Sequence, residues 1–423
     1  LEETLKNSFE AGHKLSKEIT KNDNKISFPN VIENWWWMQA CQQWPELSED
    51  KLLNLIRKEI VKQSDRFNKF RDFDADAYGK RDLSILAYGN FYYPRTWTAM
   101  TFALAEACHV RGWSPPKKGP VRILDLGSGT GASGLSCLHY LSSQGLENHI
   151  QLEALDYSSK SLVFVKKLHA AKREFWSNSR ISTTRMDLKF PFDEDNRKKY
   201  DLILLGYSLN ELLDEDDDDH ENYRQLLSYL PGLLKNNGMV IITEPAQAEI
   251  CHTLHQNCAK LIKEDANVFL HAPYFNGMCC PLADNQSKYF SHEVRKMSPP
   301  SIMEKINRPL NLEIREVKFG LSMLGTNRPK DLGHGQQVCR IISPIKKRKG
   351  TVSFIGMASD GKEYTYEFQR RDLQKEELHD LLCLTRGDIL TLKNMQATPD
   401  PSNRIRLHKM EQISPLFMPR FGT

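Results

Sequence analysis

The chain from Ile123 to Gly131 reads Ile-Leu-Asp-Leu-Gly-Ser-Gly-Thr-Gly, an apolar run that passes directly into three alternating glycines. Glycine lets a backbone turn sharply and approach a ligand with no Cβ in the way. A helix predicted from about Ala132 aims its unpaired N–H groups at the same turn. In an open α/β sheet this arrangement lies at the carboxyl ends of the strands, where ligands bind. The neighbouring pattern agrees. Residues 121–126 read as a short buried strand, 150–155, 181–186, 202–205 and 239–243 follow at the spacing of βα units, and segments such as 159–174 and 223–234 between them read as helical. Strands alternating with helices predict an α/β fold with a doubly wound parallel sheet. Two later runs, 314–324 and 337–342, are expected to close its edge.

This core occupies only part of the 423 residues. Residues 1–115 are predicted to form a helical N-terminal domain, with Trp35, Trp36 and Met38, then Leu52, Leu53, Ile56 and Ile60, at helical spacing. The Trp35-Trp36-Trp37 run reads as packing against a neighbouring domain, with a stacking surface as the other option. The aromatic run from Tyr88 to Arg95 reads as core, with a lid over the crevice as the other option. A Pro- and Lys-containing linker at 114–120 leads into the sheet domain, 116–345, which carries an insert at about 266–310 that reads as a loop module. A small basic β-rich C-terminal module, 346–423, follows. Its runs 351–356 and 363–369, joined across Asp360-Gly361, predict a hairpin. With 40% hydrophobic and 26% charged residues the composition is globular. No apolar run nears the roughly 18 residues of a membrane span, so a soluble protein with no membrane partner is expected. Nine scattered cysteines predict a reducing compartment rather than a disulfide framework. The net charge of +4 hides an asymmetry: the acidic run 214–219 offsets a basic C-terminal end.

Two ligands suit the glycine turn. Residues 129–134 form a Gly-x-Gly-x-x-Gly dinucleotide fingerprint. The fuller Asp-x-Gly-x-Gly-x-Gly string, however, resembles motif I of the class I S-adenosylmethionine-dependent methyltransferases. Asp156 ends the second strand, where an acid accepts hydrogen bonds from a ribose diol. Asp187 ends the third, beside the expected adenine, and Tyr207 follows the fourth. This series favours S-adenosylmethionine as cofactor, with Asp125, Gly127, Ser128, Gly129, Gly131, Asp156, Asp187 and Tyr207 as its candidate contacts. No catalytic residue emerges. The Asn/Asp-Pro-Pro-aromatic string of exocyclic-amine methylation is missing after the fourth strand, and no Pro-Cys or Thr-Cys dipeptide offers a nucleophile. Glu244, in the Thr-Glu-Pro turn after the fifth strand, is a candidate base on one reading and an ordinary loop acid on the other.

Several further strings together resemble the methyltransferase-like protein 17 family of mitochondrial small ribosomal subunit factors. They are Tyr92-Tyr93-Pro94-Arg95-Thr96, the segment from Leu124 to Gly131, Tyr207-Ser208-Leu209-Asn210-Glu211-Leu212 and Ile242-Thr243-Glu244-Pro245. Beyond these come His271-Ala272-Pro273, Cys280-Pro281-Leu282, Phe290-Ser291-His292 and Arg340-Ile341-Ile342-Ser343-Pro344 with the basic run behind it. They are colinear over roughly residues 85–370. The resemblance implies a small-subunit assembly factor in the mitochondrial matrix, with small-subunit rRNA and ribosomal proteins as partners, and methylation of that RNA as its enzymatic extension. The alternative is a non-catalytic rRNA-binding protein on a vestigial methyltransferase fold.

The resemblance also implies four cysteines that look like iron–sulfur ligands, of which this chain keeps one. The corresponding positions are Tyr274, Cys280, Lys288 and Met357 or Ala358. One matching thiolate, even with Cys279, cannot supply the four such a cluster needs, so no iron–sulfur cluster and no metal is expected. A zinc-like set of His271, Cys279, Cys280 and His292 is the remaining option. Lys346, Lys347, Arg348 and Lys349, read as a turn, together with Arg370 and Arg371, are the candidate RNA-binding residues, because clustered bases can meet several phosphates at once.

Overall fold

The computed structural model describes residues 25–26, 28–65, 79–176, 178–189, 198–213, 220–284, 289–311, 313–393 and 403–421. Lys288 and the acidic run 214–219 lie outside them. Four helices open the chain: α1 (Asn30–Gln43), α2 (Glu49–Asp65), α3 (Asp82–Phe91) and α4 (Tyr93–His109). The sheet domain then runs β1 (Val121–Leu126), α5 (Ala132–Ser143), β2 (Ile150–Asp156), α6 (Ser159–Ala171), β3 (Ser179–Arg185), β4 (Tyr200–Gly206), α7 (Glu221–Tyr229), β5 (Leu234–Pro245) and α8 (Ala248–Glu264). After these come β6 (Phe269–Ala272), β7 (Glu293–Lys296), α9 (Ser301–Asn307) and β8 (Glu316–Gly325).

The strand order is β3-β2-β1-β4-β5-β8-β6, with β7 also on β8. β1 to β5 are parallel, and β8 returns antiparallel against β5. The chain order reverses between β1 and β4, so the crevice of the fold opens there. The central strands are apolar almost throughout because both faces are covered. Ile123, Leu202, Leu204, Met239 and Ile241 face one core, shared with the N-terminal helices. Leu124, Leu126, Ile203, Leu205, Val240 and Ile242 face the other, under α7 and α8. This alternation is the two-residue period of a strand. The fold class is thus as expected.

Trp36 is completely buried and stacks on Phe164 of α6 with ring centroids 5.5 Å apart. The tryptophan run therefore docks the helical domain on the sheet domain, and truncating such a residue costs about 3–5 kcal/mol.

Two expectations are corrected. The run at 337–342 does not close the first sheet. As β9 (Val338–Ile341) it pairs with β11 (Thr351–Ala358) and β13 (Ile389–Leu392) in a second, seven-stranded sheet. That sheet also holds β10 (Lys346–Lys347), β12 (Glu363–Gln369), β14 (Arg404–Leu407) and β15 (Ile413–Phe417), with helix α10 (Lys375–Leu382) in the same segment. β9 is too short to show by periodicity which sheet it joins. The insert, in turn, is more than loop: β6 and β7 both pair with β8. The hairpin across Asp360-Gly361 is present, with Phe354 opposite Tyr366. No helix among the described residues is long and apolar enough to cross a membrane.

Candidate cofactor crevice and basic face

β1 ends at Leu126 and the chain turns through Gly127, Gly129 and Gly131, all at positive φ. Two of these glycines are required by close packing. A Cβ on Gly127 would fall 2.4 Å from Ser208 Cβ, and one on Gly131 would crowd Val165 at 3.0 Å. Gly129 differs: nothing lies within 4 Å of its missing Cβ, so it faces open space. Around it, the buried Ser128 Oγ and Thr130 Oγ1 lack partners. The turn is held from behind. Ser128 N–H donates to Leu155 O at 2.9 Å, and Ser208 Oγ donates to Leu126 O at 2.8 Å.

The acids divide between bracing and lining. Asp125 is buried, and its Oδ2 accepts from Gly134 N–H at 2.8 Å, fixing the first turn of α5 to β1. Its Oδ1 is buried without a partner. Asp156 accepts from Gly129 N–H through Oδ2 and from Ser158 N–H through Oδ1, both at 2.8 Å. Burial raises Asp125 to about 7, opposed by the Gly134 hydrogen bond, and raises Asp156 to about 6, opposed by its two N–H donors. Burial and the charge of Asp156 lift Glu211 to about 8. Asp187 is exposed just past β3, where its Oδ1 accepts from Lys189 N–H at 3.0 Å. It lies near enough to Asp156 to raise that carboxyl further.

Glu244 is neither an open loop acid nor a free base. Its fully buried carboxylate accepts from Leu209 N–H at 2.9 Å and Asn210 N–H at 3.2 Å, bracing the short turn Leu209–Leu212. Burial holds it well above the usual carboxylate range. Tyr207, just after β4, has φ 61°, a conformation that strains a bulky side chain and marks functional sites. Its N–H is tied to Thr243 O at 2.7 Å, and its hydroxyl donates to Lys318 O at 3.4 Å.

The helical domain forms one wall. Tyr93 and Trp97 are buried core. Tyr88 and Thr96 are joined at 3.0 Å, and Thr96 lies 3.5 Å from the Cβ position of Gly206 at the end of β4. The charges of Glu211, Asp125 and Asp156 all act on the Tyr88 hydroxyl. The run from Tyr88 to Arg95 is therefore largely core, as expected, with Tyr88 and Thr96 beside the end of β4. Sequence reasoning singled out neither Tyr88 nor Glu211 as site residues, although both lie in motifs it recorded.

The two basic clusters meet. Lys346 and Lys347 are strand residues, paired with Ser353 and Val352, rather than part of a turn; Arg348, Lys349 and Gly350 make the turn. Arg370 N–H donates to Gly350 O at 2.8 Å, placing Arg370 and Arg371 beside that turn. All six basic side chains are exposed, at one end of the β11–β12 hairpin.

In the insert, Tyr274, Cys280 and Met357 pack together with Leu282 and Ile342 in a small apolar cluster, and Tyr274 Oη donates to Ser291 Oγ at 3.2 Å. The zinc-like set does not assemble: His271 Nε2 contacts Asn327 O at 3.0 Å, while the His292 ring stacks on Phe290 at 4.4 Å. Among the described residues no group of three His, Cys, Asp or Glu side chains could hold a metal ion.

Strand order, glycine turn and acid series define a protein of the class I methyltransferase fold. Residues 82–371 match the profile of the mitochondrial small ribosomal subunit family Rsm22, and the chain belongs to that family. No curated protein sequence matches it. Solved structures similar to it include the methyltransferase domain of a citrinin polyketide synthase, at 12% identity over 65% of each chain with TM-score 0.33. A Clostridium acetobutylicum S-adenosylmethionine-dependent methyltransferase shares 14% identity over 71% of this chain and 82% of its own, TM-score 0.25. The CurJ carbon methyltransferase shares 11% over 68% and 69%, TM-score 0.34.

Proposed function

We propose that this chain is a mitochondrial small-subunit assembly factor, working in the matrix, that binds S-adenosylmethionine in the β1–β4 crevice and small-subunit rRNA on its basic face. The observation that carries the cofactor assignment is the open space at Gly129, ringed by unpartnered buried oxygens and by acids. The cofactor is cationic at its sulfonium and its amine, and a site lined by Asp125, Asp156 and Glu211 suits such a ligand. Gly127, Ser128, Gly129 and Gly131 would receive the cofactor's backbone-facing side, Asp156 its ribose, and Asp187 and Tyr207 its flanks. For Asp156 to take the ribose it must share or release the Gly129 N–H it now accepts. Bound there, the cofactor would supply an electrophilic methyl group.

The family's association with the mitochondrial small subunit, together with six exposed bases on one hairpin end, supports rRNA as the polymer. A second reading rests on Glu244. Glu244, the acid of the fifth strand offered as a base by the sequence, is consumed in bracing a turn, which favours an rRNA-binding protein whose methyl transfer is lost. The apolar cluster of Tyr274, Cys280 and Met357 supports an insert held by packing. Purified protein should therefore show no visible absorption from iron and sulfide, and a brown, iron-containing preparation would refute this.

Calorimetric titration with S-adenosylmethionine tests the cofactor assignment. Micromolar binding that Gly129→Arg abolishes, with the fold retained, is the expected result. Open space at Gly129 makes that variant tolerable to the fold apart from its positive φ. Unchanged affinity would remove the site. Absence of binding in the wild-type protein, with RNA binding retained, would leave the second reading.

A further inference from the structure

Arg95 stands out among the cations near the crevice. It lies in the first turn of α4, after Pro94, which presets the start of that helix. Its side chain is half-buried and its Nε is buried without a partner. Among the described residues its side chain makes no hydrogen bond or ion pair, and its guanidinium carbon lies 6.0 Å from the centre of the Tyr92 ring. The deeply buried arginines of the molecule are treated differently: Arg111, Arg295 and Arg340 are each ion-paired. Buried polar groups normally find an acceptor, and one left without it costs free energy. Arg295 Nε is unpartnered as well, but its terminal nitrogens are ion-paired, whereas Arg95 has no acidic partner among the described residues.

Its place says which partner would suit it. Thr96, the next residue, abuts Gly206 at the end of β4. The Arg95 charge also acts on the Tyr207 hydroxyl, opposing the rise that burial causes there. Arg95 therefore overlooks the carboxyl end of β4, where the acids Asp125, Asp156, Glu211 and Glu244 gather and where the charge of Lys189 also acts on Glu211. These acids suit the cationic centres of S-adenosylmethionine and would repel its one carboxylate.

We propose that Arg95 binds the carboxylate of the cofactor's amino-acid end, so that the helical domain completes a site otherwise built on the sheet. Guanidinium and carboxylate match in geometry and can pair through two parallel hydrogen bonds. The Tyr92 ring restricts where the guanidinium can lie. This inference rests on the cofactor assignment above, and its test separates the two.

Binding of S-adenosylmethionine and of decarboxylated S-adenosylmethionine is measured by calorimetry for the wild-type chain, Arg95→Gln and Arg95→Lys. The second ligand keeps the adenosine, sulfonium and amine and lacks only the carboxylate. Arg95→Gln should weaken the first ligand by roughly tenfold to a hundredfold, the range of a charged hydrogen bond, and change the second by less than about twofold on the same scale. Arg95→Lys, which keeps the charge and loses the fork, should fall between. Equal losses for both ligands would mean a structural effect and overturn the proposal. So would unchanged binding of S-adenosylmethionine. Wild-type protein that binds neither ligand would refute the cofactor assignment itself, and this proposal with it.

Discussion

Asp156 and Glu211 hold protons in the folded chain that they would release when unfolded, and this gives the crevice a pH signature. Asp156 rises from 3.8 to about 6 and Glu211 from 4.5 to about 8, in each case chiefly through burial. A carboxyl whose folded pKa is raised contributes stability below its unfolded value, and that contribution is lost as pH climbs through the folded value. The free protein should therefore lose stability between about pH 4 and pH 8 on account of these two groups. A cationic ligand acts in the opposite sense, because it favours the ionised carboxylates and lowers their pKa. Its affinity should rise over pH 6–8, roughly the interval in which these two groups ionise, and binding should release protons. Calorimetry at pH 7 in buffers of different ionisation enthalpy measures that release directly. Proton uptake, or none, would mean that these carboxyls do not face the ligand.

At the scale of elements, the hairpin β11–β12 carries the RNA assignment. Its turn at Gly350 and the residues following β12 meet through the Arg370 N–H to Gly350 O bond, so two clusters about twenty residues apart in sequence become one face. Replacing Lys346, Lys347, Arg348 and Lys349 with Gln should weaken binding to small-subunit rRNA and flatten its salt dependence, by roughly 0.7–0.9 in log–log slope for each phosphate no longer neutralised. Arg370→Gln with Arg371→Gln should move the slope in the same direction, because both lie on that face. A slope that stays constant in both variants would place the RNA elsewhere. The hairpin was legible in the sequence because strand alternation and an Asp-Gly turn are local signals. The glycine turn was legible for the same reason. The meeting of the basic clusters was not, since it depends on register between strands. Nor was the sheet to which β9 belongs, because four buried residues carry no period that distinguishes one apolar surface from another. Glu244 shows the same limit at a single position: an acid in a Thr-Glu-Pro turn gives no sign that two backbone N–H groups will claim it.

Across the whole molecule, one buried chain of charges joins parts far apart in sequence. Glu106 of α4 accepts from Arg111 and from Arg340 of β9, at 2.5–2.9 Å. Arg340 reaches Glu293 of β7 at 2.6 Å, and Glu293 in turn pairs with Arg295 at 2.9 Å. Arg295 pairs with Asp388, just before β13 of the second sheet, at 2.6 Å, and Arg420 closes the series on Asp388 at 3.2 Å. Nothing in the sequence announced this seam, for each member alone reads as a surface charge. Buried ion pairs are not in themselves strong evidence of stability, since desolvation offsets most of their attraction, but removing one partner strands the rest. Such pairs can also fix how surfaces dock, because a misregistered interface leaves a charge buried and unpaired. Glu106 is the member to test. Burial alone would raise its pKa, yet the Arg340 and Arg111 guanidiniums hold it down at about 2. Its contribution is thus present above 4.5, its ordinary value, and is lost as pH falls from there toward about 2. Glu106→Gln should cost about 3–5 kcal/mol in urea unfolding at pH 7, and the deficit relative to wild type should shrink as pH drops below 4.5. The second sheet should loosen first, as its Arg340 loses the acid on α4, so amide exchange in β9 and β11 should quicken before that in β1 and β4. A variant as stable as the parent, with exchange unchanged in β9, would mean that apolar packing alone holds the second sheet to the helical domain.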